Sequence, residues 1–232
     1  MEYPMLQQVH TSTMSGKLIE LQAISDDTPS NGFCYIRYLK AKAKNEKAGK
    51  VVDICGECYS HTMLSTYRKN MRPALARNEF LAERLLEPHE LPTYLTAFMR
   101  LDAHGELRTE TVDPANGKVI RTYDKFTHIE NFCRIAEHNP HCTFALWTKR
   151  TEIIKPFFNK REKPKNLILI YSNPQVGTVL SNPPKHFDKT FNNVLEHEYV
   201  DEQNCTGQKC KDCMLCYNHS TTDTIVEKVK KY

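Results

Sequence analysis

Four cysteines close to the C-terminal end carry the strongest chemical signal in the sequence: Cys205-x4-Cys210-x2-Cys213-x2-Cys216, within NCTGQKCKDCMLCYNH. Thiols packed this closely read as metal ligands, because two-residue spacing in a tight turn lets thiolates converge, and Gly207 frees the loop to wrap them. Residues 201–219 are therefore expected to form a cysteine-rich metal-binding segment. The spacing also separates two metals. A zinc ribbon wants two separate C-x2-C knuckles, whereas C-x2-C-x2-C is the run by which bacterial ferredoxins hold a four-iron cluster. A 4Fe-4S cluster is expected, with zinc as the alternative.

A second group lies far upstream: Cys55-Gly56-Glu57-Cys58, with Cys34 twenty-one residues before Cys55. Alone, the pair admits several readings: a redox couple, half of a zinc site, or two thiolates at a helix N-terminus. Taken with the C-terminal four it makes seven, which does not divide into two complete four-thiolate sites. Either one site borrows another ligand or one metal keeps an open position. The core is expected to bring the groups together, with Cys55 or Cys58 completing or neighbouring the C-terminal centre. The remaining cysteines, Cys133 and Cys142, sit in apolar patterns and read as small buried side chains. Of ten histidines, His61 and His219, each three residues after a cysteine, are the ones placed to join a site.

The elements that must position these thiols alternate between strand and helix. AFMRLD (97–102), TFALWT (143–148) and NLILIYS (166–172) read as strands, and 126–138 and 152–159 as helices, the second limited by Pro156. The continuous apolar run of the last strand fits a parallel strand covered on both faces. Residues 105–124, with Asp113-Pro114-Ala115-Asn116-Gly117 at their centre, read as an inserted β-hairpin, and Met63–Leu86 as helical, broken or kinked near Pro73. The expectation is one α/β domain over 1–232: a parallel sheet with crossover helices, partial-barrel-like or open, and a cysteine-rich C-terminal loop. In such sheets the ligand crevice lies beyond the carboxyl ends of the strands. Those ends place Asp102, His104, Lys149 and Asn173 as substrate-facing candidates, with a loop anchor at Asp102 and a solvated Lys149 as the plainer readings.

Charge says less. Net charge is +4, but positive residues gather at 37–50 and 149–165. These runs either engage nucleic acid, in a salt-sensitive way, or are solvated faces. No run of eighteen apolar residues occurs and the first residues lack a signal-peptide pattern, so no membrane partner and a cytoplasmic location are expected, with thiols kept reduced.

The order and spacing of ICGECYS, FMRLDAHGEL, FCRIAEHNPHCTFALWTKRTEII, NLILIYSNP and NCTGQKCKDCMLCY, across roughly residues 30–218, resemble the phage gene product 88-like proteins and their gut-bacterial and gut-phage relatives. The resemblance implies an α/β architecture, phage or mobile-element association (hence a bacterial host cytoplasm), and metal bound by Cys34, Cys55, Cys58, Cys205, Cys210, Cys213 and Cys216. It implies no reaction. The expected function is a redox-active iron–sulfur protein with a redox partner or small-molecule substrate, its status as an oxidoreductase or other cluster-dependent enzyme left open. The alternative is a zinc-stabilised nucleic-acid-binding or interaction module. Radical S-adenosylmethionine enzymes require C-x3-C-x2-C, which Cys34-x20-Cys55-x2-Cys58 does not meet, and no convincing glycine motif for that co-substrate is present.

Overall fold

The computed structural model describes residues 7–195, 203–219 and 222–228, so the first two positions of the expected 201–219 segment lie outside the described residues. Seven strands form the main sheet: β1 (Thr11–Thr13), β2 (Gln22–Ile24), β3 (Phe98–Leu101), β6 (Thr143–Thr148), β7 (Leu167–Val176), β8 (Lys189–Val194) and β9 (Thr224–Lys228). Between β3 and β6, β4 (Glu110–Val112) and β5 (Val119–Thr122) make a separate two-stranded antiparallel sheet. Except for the antiparallel β1–β2 pair, all neighbours in the main sheet are parallel, and spatial order follows chain order from β1 to β9. Every crossover thus steps in the same direction, as in a barrel left open. The two ends of the row nevertheless approach each other: Lys17, in the β1–β2 connection, is ion-paired with Glu227 of β9.

Helices fill the crossovers, except between β7 and β8, which a helix-free loop joins. From β2 to β3 run α1 (Gly32–Ala48), α2 (Tyr59–Ser65), α3 (Arg72–Ala76) and α4 (Phe80–Glu83); α5 (Thr127–His138) precedes β6, α6 (Thr151–Phe158) precedes β7, and the single turn α7 (Cys210–Cys213) precedes β9. The side-chain period of two divides the sheet. On β6, Phe144 and Leu146 join the large core with Ile129, Phe132 and Ile135 of α5 and Ile153 and Phe157 of α6. Ala145 and Trp147 point the other way, where Ile168 and Ile170 of β7 join Tyr217 with Cys210, Met214 and Cys216 packed against them. The apolar continuity of 166–172 follows: helices cover one face and the cysteine segment the other. Each fully buried large apolar side chain here contributes roughly 1.5–3 kcal/mol.

Two expectations about helices are corrected. Met63–Leu86 is helical and broken, but not at Pro73. The chain breaks at Thr66–Arg68, and Pro73 sits in the first turn of α3, where its missing N–H costs nothing. Pro156 lies inside α6 instead of ending it. Cys133 and Cys142 are fully buried in the large core, as their surroundings suggested.

Candidate metal centre

The early thiols are positioned by a polar framework. Beyond β2 the chain turns through Asp26 and Asp27, and Asn31 caps α1 by accepting a hydrogen bond from the Cys34 N–H at 3.2 Å. Asp26 is gripped by the fully buried Arg108, whose Nη2 lies 2.7 Å away and whose other donors reach Ser30, Asp27 and Thr111. One guanidinium thereby ties the β2–α1 turn to the hairpin. α1 then carries the chain out for about 25 Å and Gly49, at φ 63°, reverses it.

On the return, Asn45 accepts from the N–H groups of Val52 and Asp53 and donates to the Asp53 carbonyl. Asp53 in turn accepts from the Cys55 N–H at 3.1 Å and from Arg37 at 2.7 Å. Gly56 permits the close approach: a Cβ there would lie 2.4 Å from Asn45 Nδ2 and 3.0 Å from the Ala41 carbonyl. Cys58 caps α2, its sulfur accepting from the His61 N–H at 3.5 Å. The twenty residues between Cys34 and Cys55 are an out-and-back excursion, after which Cys55 and Cys58 line the same cavity as Cys34.

The C-terminal thiols are held differently. Cys210, Met214, Cys216 and Tyr217 pack on the second face of the sheet, and Met214, at φ 57°, ends the α7 turn. Polar ties anchor the start of the segment, where the Asn204 and Cys205 N–H groups donate to the Val226 carbonyl and Asn204 Oδ1 accepts from the Val226 N–H; at the sulfurs, Lys17 Nζ lies 3.9 Å from Cys205 and Gln208 donates to Cys213 at 3.4 Å.

Both groups face a single cavity of about 590 Å³. Cys34, Cys55 and Cys58 line one side and Cys205, Cys210 and Cys216 another; Cys213 lies behind, in a small adjoining pocket with the other three C-terminal thiols. Burial raises the Cys34, Cys58 and Cys216 thiols above their ordinary value, so without a cation they stay protonated, and metal loading must expel protons. Among the described residues, no group of three or more His, Cys, Asp or Glu side chains is placed to hold one metal ion. That finding bears on a mononuclear site, whose sulfurs must sit ~2.3 Å from the same ion. A four-iron cluster gives each thiolate its own iron and asks for a wider set.

The candidates at the strand ends divide. Asp102 is buried in the cavity wall at φ 48°, with both carboxylate oxygens lacking a partner. Burial, with Asp26 and Glu106 nearby, pushes its carboxyl well above the usual range. His104 also lines the cavity, its Nδ1 2.7 Å from the Ser60 hydroxyl, and burial lowers it to about 4. Lys149 is not solvated: its side chain is 18% exposed and its ammonium lies 3.4 Å from Glu106. Burial alone would lower it; negative neighbours oppose that, the Glu106 carboxylate and, where ionised, the Cys55, Cys58 and Cys34 thiolates, and the net direction is up. Asn173 is a correction. It lies outside the cavity, buried, and spends its amide on Thr178, Asn192 and the Gln175 N–H, because the turn after β7 needs those bonds.

His61, whose N–H meets the Cys58 sulfur, stacks its ring on Tyr38 at 3.8 Å and has a buried Nε2 without a partner, whereas His219 bonds the Lys165 carbonyl on the surface. The second basic run is largely spoken for within the fold: Arg150 is buried over the Phe33 ring, Arg161 pairs with Glu130 and Glu137, and Lys163 with Asp188. Lys40, Lys42, Lys44, Lys47 and Lys50 of the first run are exposed.

Sequence reasoning missed three groups. Arg108 and Asp26 form the buried pair, Arg100 stacks over Trp147 at 4.1 Å in the cavity wall, and Glu106 binds Thr148 at 2.6 Å and the Lys149 N–H at 3.1 Å. Their partners are 40 to 80 residues away in sequence, and no local pattern marks them. The class defined by fold and site is a singly wound, mostly parallel α/β sheet with two thiol groups facing one cavity. No protein-family model, no curated protein and no solved structure matches the chain.

Proposed function

We propose that this protein is a redox-active iron–sulfur protein with two cysteine-held centres, whose chemistry takes place in the cavity between them. The observation that carries the reading is that six of the seven expected ligands line one cavity while the two core cysteines do not. Cys205, Cys210, Cys213 and Cys216 supply four thiolates, enough to close a 4Fe-4S cluster and make it an electron relay. Cys34, Cys55 and Cys58 supply three, which leaves one iron for an outside ligand. Asp102, His104, Lys149 and Arg100 line the space such a ligand would enter. A small-molecule substrate fits this arrangement better than nucleic acid does, since the basic residues of 149–165 are mostly paired or buried. Kinship with the phage gene product 88-like proteins, and the mobile-element association it implies, belong to the same proposal.

The test is metal and sulfide analysis after anaerobic, iron-replete expression. About eight irons and eight sulfides per chain are expected for two four-iron clusters. Cys58→Ala and Cys213→Ala should each remove about half, and Cys133→Ala none. Stoichiometric zinc without iron overturns the reading in favour of a zinc-stabilised module.

A further inference from the structure

We infer that the three-thiolate centre binds a sulfonium nucleoside of the S-adenosylmethionine type through its α-amino-acid end, with Asp102 completing the site. This rests on the cluster reading above and names its co-substrate.

The linear spacing Cys34-x20-Cys55-x2-Cys58 speaks against such a centre, but the structure removes the objection. The intervening residues are α1 and its return, locked by Asn45 and by the fit of Gly56 against Ala41. What matters chemically is where the sulfurs end up. All three face the cavity at the carboxyl end of β2, the first parallel strand of a sheet wound in one direction.

The ligand's character follows from the neighbouring loop, residues 102–106. Gly105, at φ 100°, sits where a Cβ would come within 2.7 Å of the Asp26 Cβ, so the loop is pinned against the β2–α1 turn. The His104 carbonyl accepts from the Asp26 N–H at 2.8 Å, its ring meets Ser60, and Glu106 is held by Thr148 and Lys149. Of the two acidic residues of this loop that line the cavity, Glu106 is paired, whereas Asp102, 4% exposed and set in the wall, has both carboxylate oxygens buried with no partner. A buried carboxylate without donors is costly, so a ligand bringing a cation or hydroxyl donors is favoured there. Arg100 and Arg68 on the same cavity wall ask for an anionic group. A zwitterion satisfies both, and the α-amino and carboxylate groups of an amino acid also chelate an open iron. The cavity, at about 590 Å³, is far larger than a free amino acid needs and holds a nucleoside extension.

The reaction balances with one external electron. A low-potential one-electron donor reduces the centre, the electron passes to the sulfonium, and the C5′–S bond breaks to methionine and a 5′-deoxyadenosyl radical. That radical takes a hydrogen atom from a substrate C–H, giving 5′-deoxyadenosine and a substrate radical.

The experiment uses the full chain, reconstituted anaerobically, with iron and sulfide measured first. Dithionite-reduced protein is then examined by EPR with and without S-adenosylmethionine, and 5′-deoxyadenosine is quantified. The expected result is a changed spectrum and 5′-deoxyadenosine formation that needs both reductant and S-adenosylmethionine. Cys58→Ala should lose both while keeping about half the iron. Asp102→Asn should keep all the iron and bind S-adenosylmethionine about tenfold more weakly, as loss of a charge-assisted contact predicts. Iron-loaded wild-type protein with an unchanged spectrum and no 5′-deoxyadenosine overturns this inference and leaves the cluster reading standing. Wild-type affinity in Asp102→Asn overturns the role of Asp102. Protein that takes up no iron overturns the cluster reading itself.

Discussion

The two thiol groups are built on opposite plans. The C-terminal four lie within twelve residues and are held by one helical turn, apolar packing on the sheet, and a bridge of Asn204 and Cys205 to Val226 and Glu227 of β9 at one end of the segment. The early three span twenty-five residues but are fixed by Asp26–Arg108, Asp53–Arg37, the Asn45 amide and a glycine-tight contact, none of which needs a metal. On the proposed reading, the fold prepares the early site before any cofactor arrives, while the late site is left for its cofactor to organise. Preparation would also suit the proposed open position, since a site that leaves one iron free cannot rely on a fourth thiolate to hold its shape.

The largest expected effect comes from breaking the early framework. Arg108→Ala leaves Asp26 buried and unpaired and should cost about 3–5 kcal/mol in chemical denaturation, with loss of the early centre and retention of the late one. If both centres vanish together while the protein stays folded, they are not independently built.

Hydrogen exchange on iron-loaded and iron-free protein addresses the comparison directly. Amides of 203–219 should be protected only when loaded, because metal binding and folding are linked, whereas those of 53–58 should stay protected in both. Equal protection in the two states would mean the late site is preformed as well.

Gly56→Ala tests the tight contact. The added methyl meets Asn45 and the Ala41 carbonyl, and overpacking of this kind should cost about 1–3 kcal/mol and lower iron at the early centre. Unchanged iron and stability would show that the turn does not depend on that approach.

Two buried histidines give the framework a pH limit. Burial lowers His104 to about 4 and His128 to about 3, and the His128 Nδ1 accepts the Arg108 N–H at 2.9 Å. Both are neutral in the folded state, while their unfolded counterparts take up protons below about pH 6.5. Stability is therefore complete above pH 6.5 and falls as pH drops toward 4. Replacing His128 with Gln should flatten that part of the profile in urea titrations; an unaltered slope would assign it elsewhere.

The smallest effect concerns charge. Reversing Lys160 and Lys165, both exposed, should leave iron content and stability within about 0.5 kcal/mol of wild type. A measurable loss of nucleic-acid binding at low salt would instead give the basic run a function.

Much of the frame was legible because it is written locally. A period of two over 143–148, an apolar run from 167, helical spacing over 127–138 and the turn chemistry of 113–117 each reside in a few neighbouring residues. The short strands β1 and β2 were not, since three residues carry no period; β8 escaped too, for its inward positions include Lys189, Thr190 and Asn192, buried polar residues that fit no apolar template. The sequence by itself determined which side chains are candidates for metal binding and separated seven cysteines from the two in the core. Only the tertiary structure decided that the two groups share a cavity, that Lys149 and Asp102 face it, and that Asn173 does not. The reason is physical: thiol type and spacing are local properties, whereas burial and charge pairing are set by residues 40 to 190 positions apart, brought together when the parallel sheet closes its crossovers.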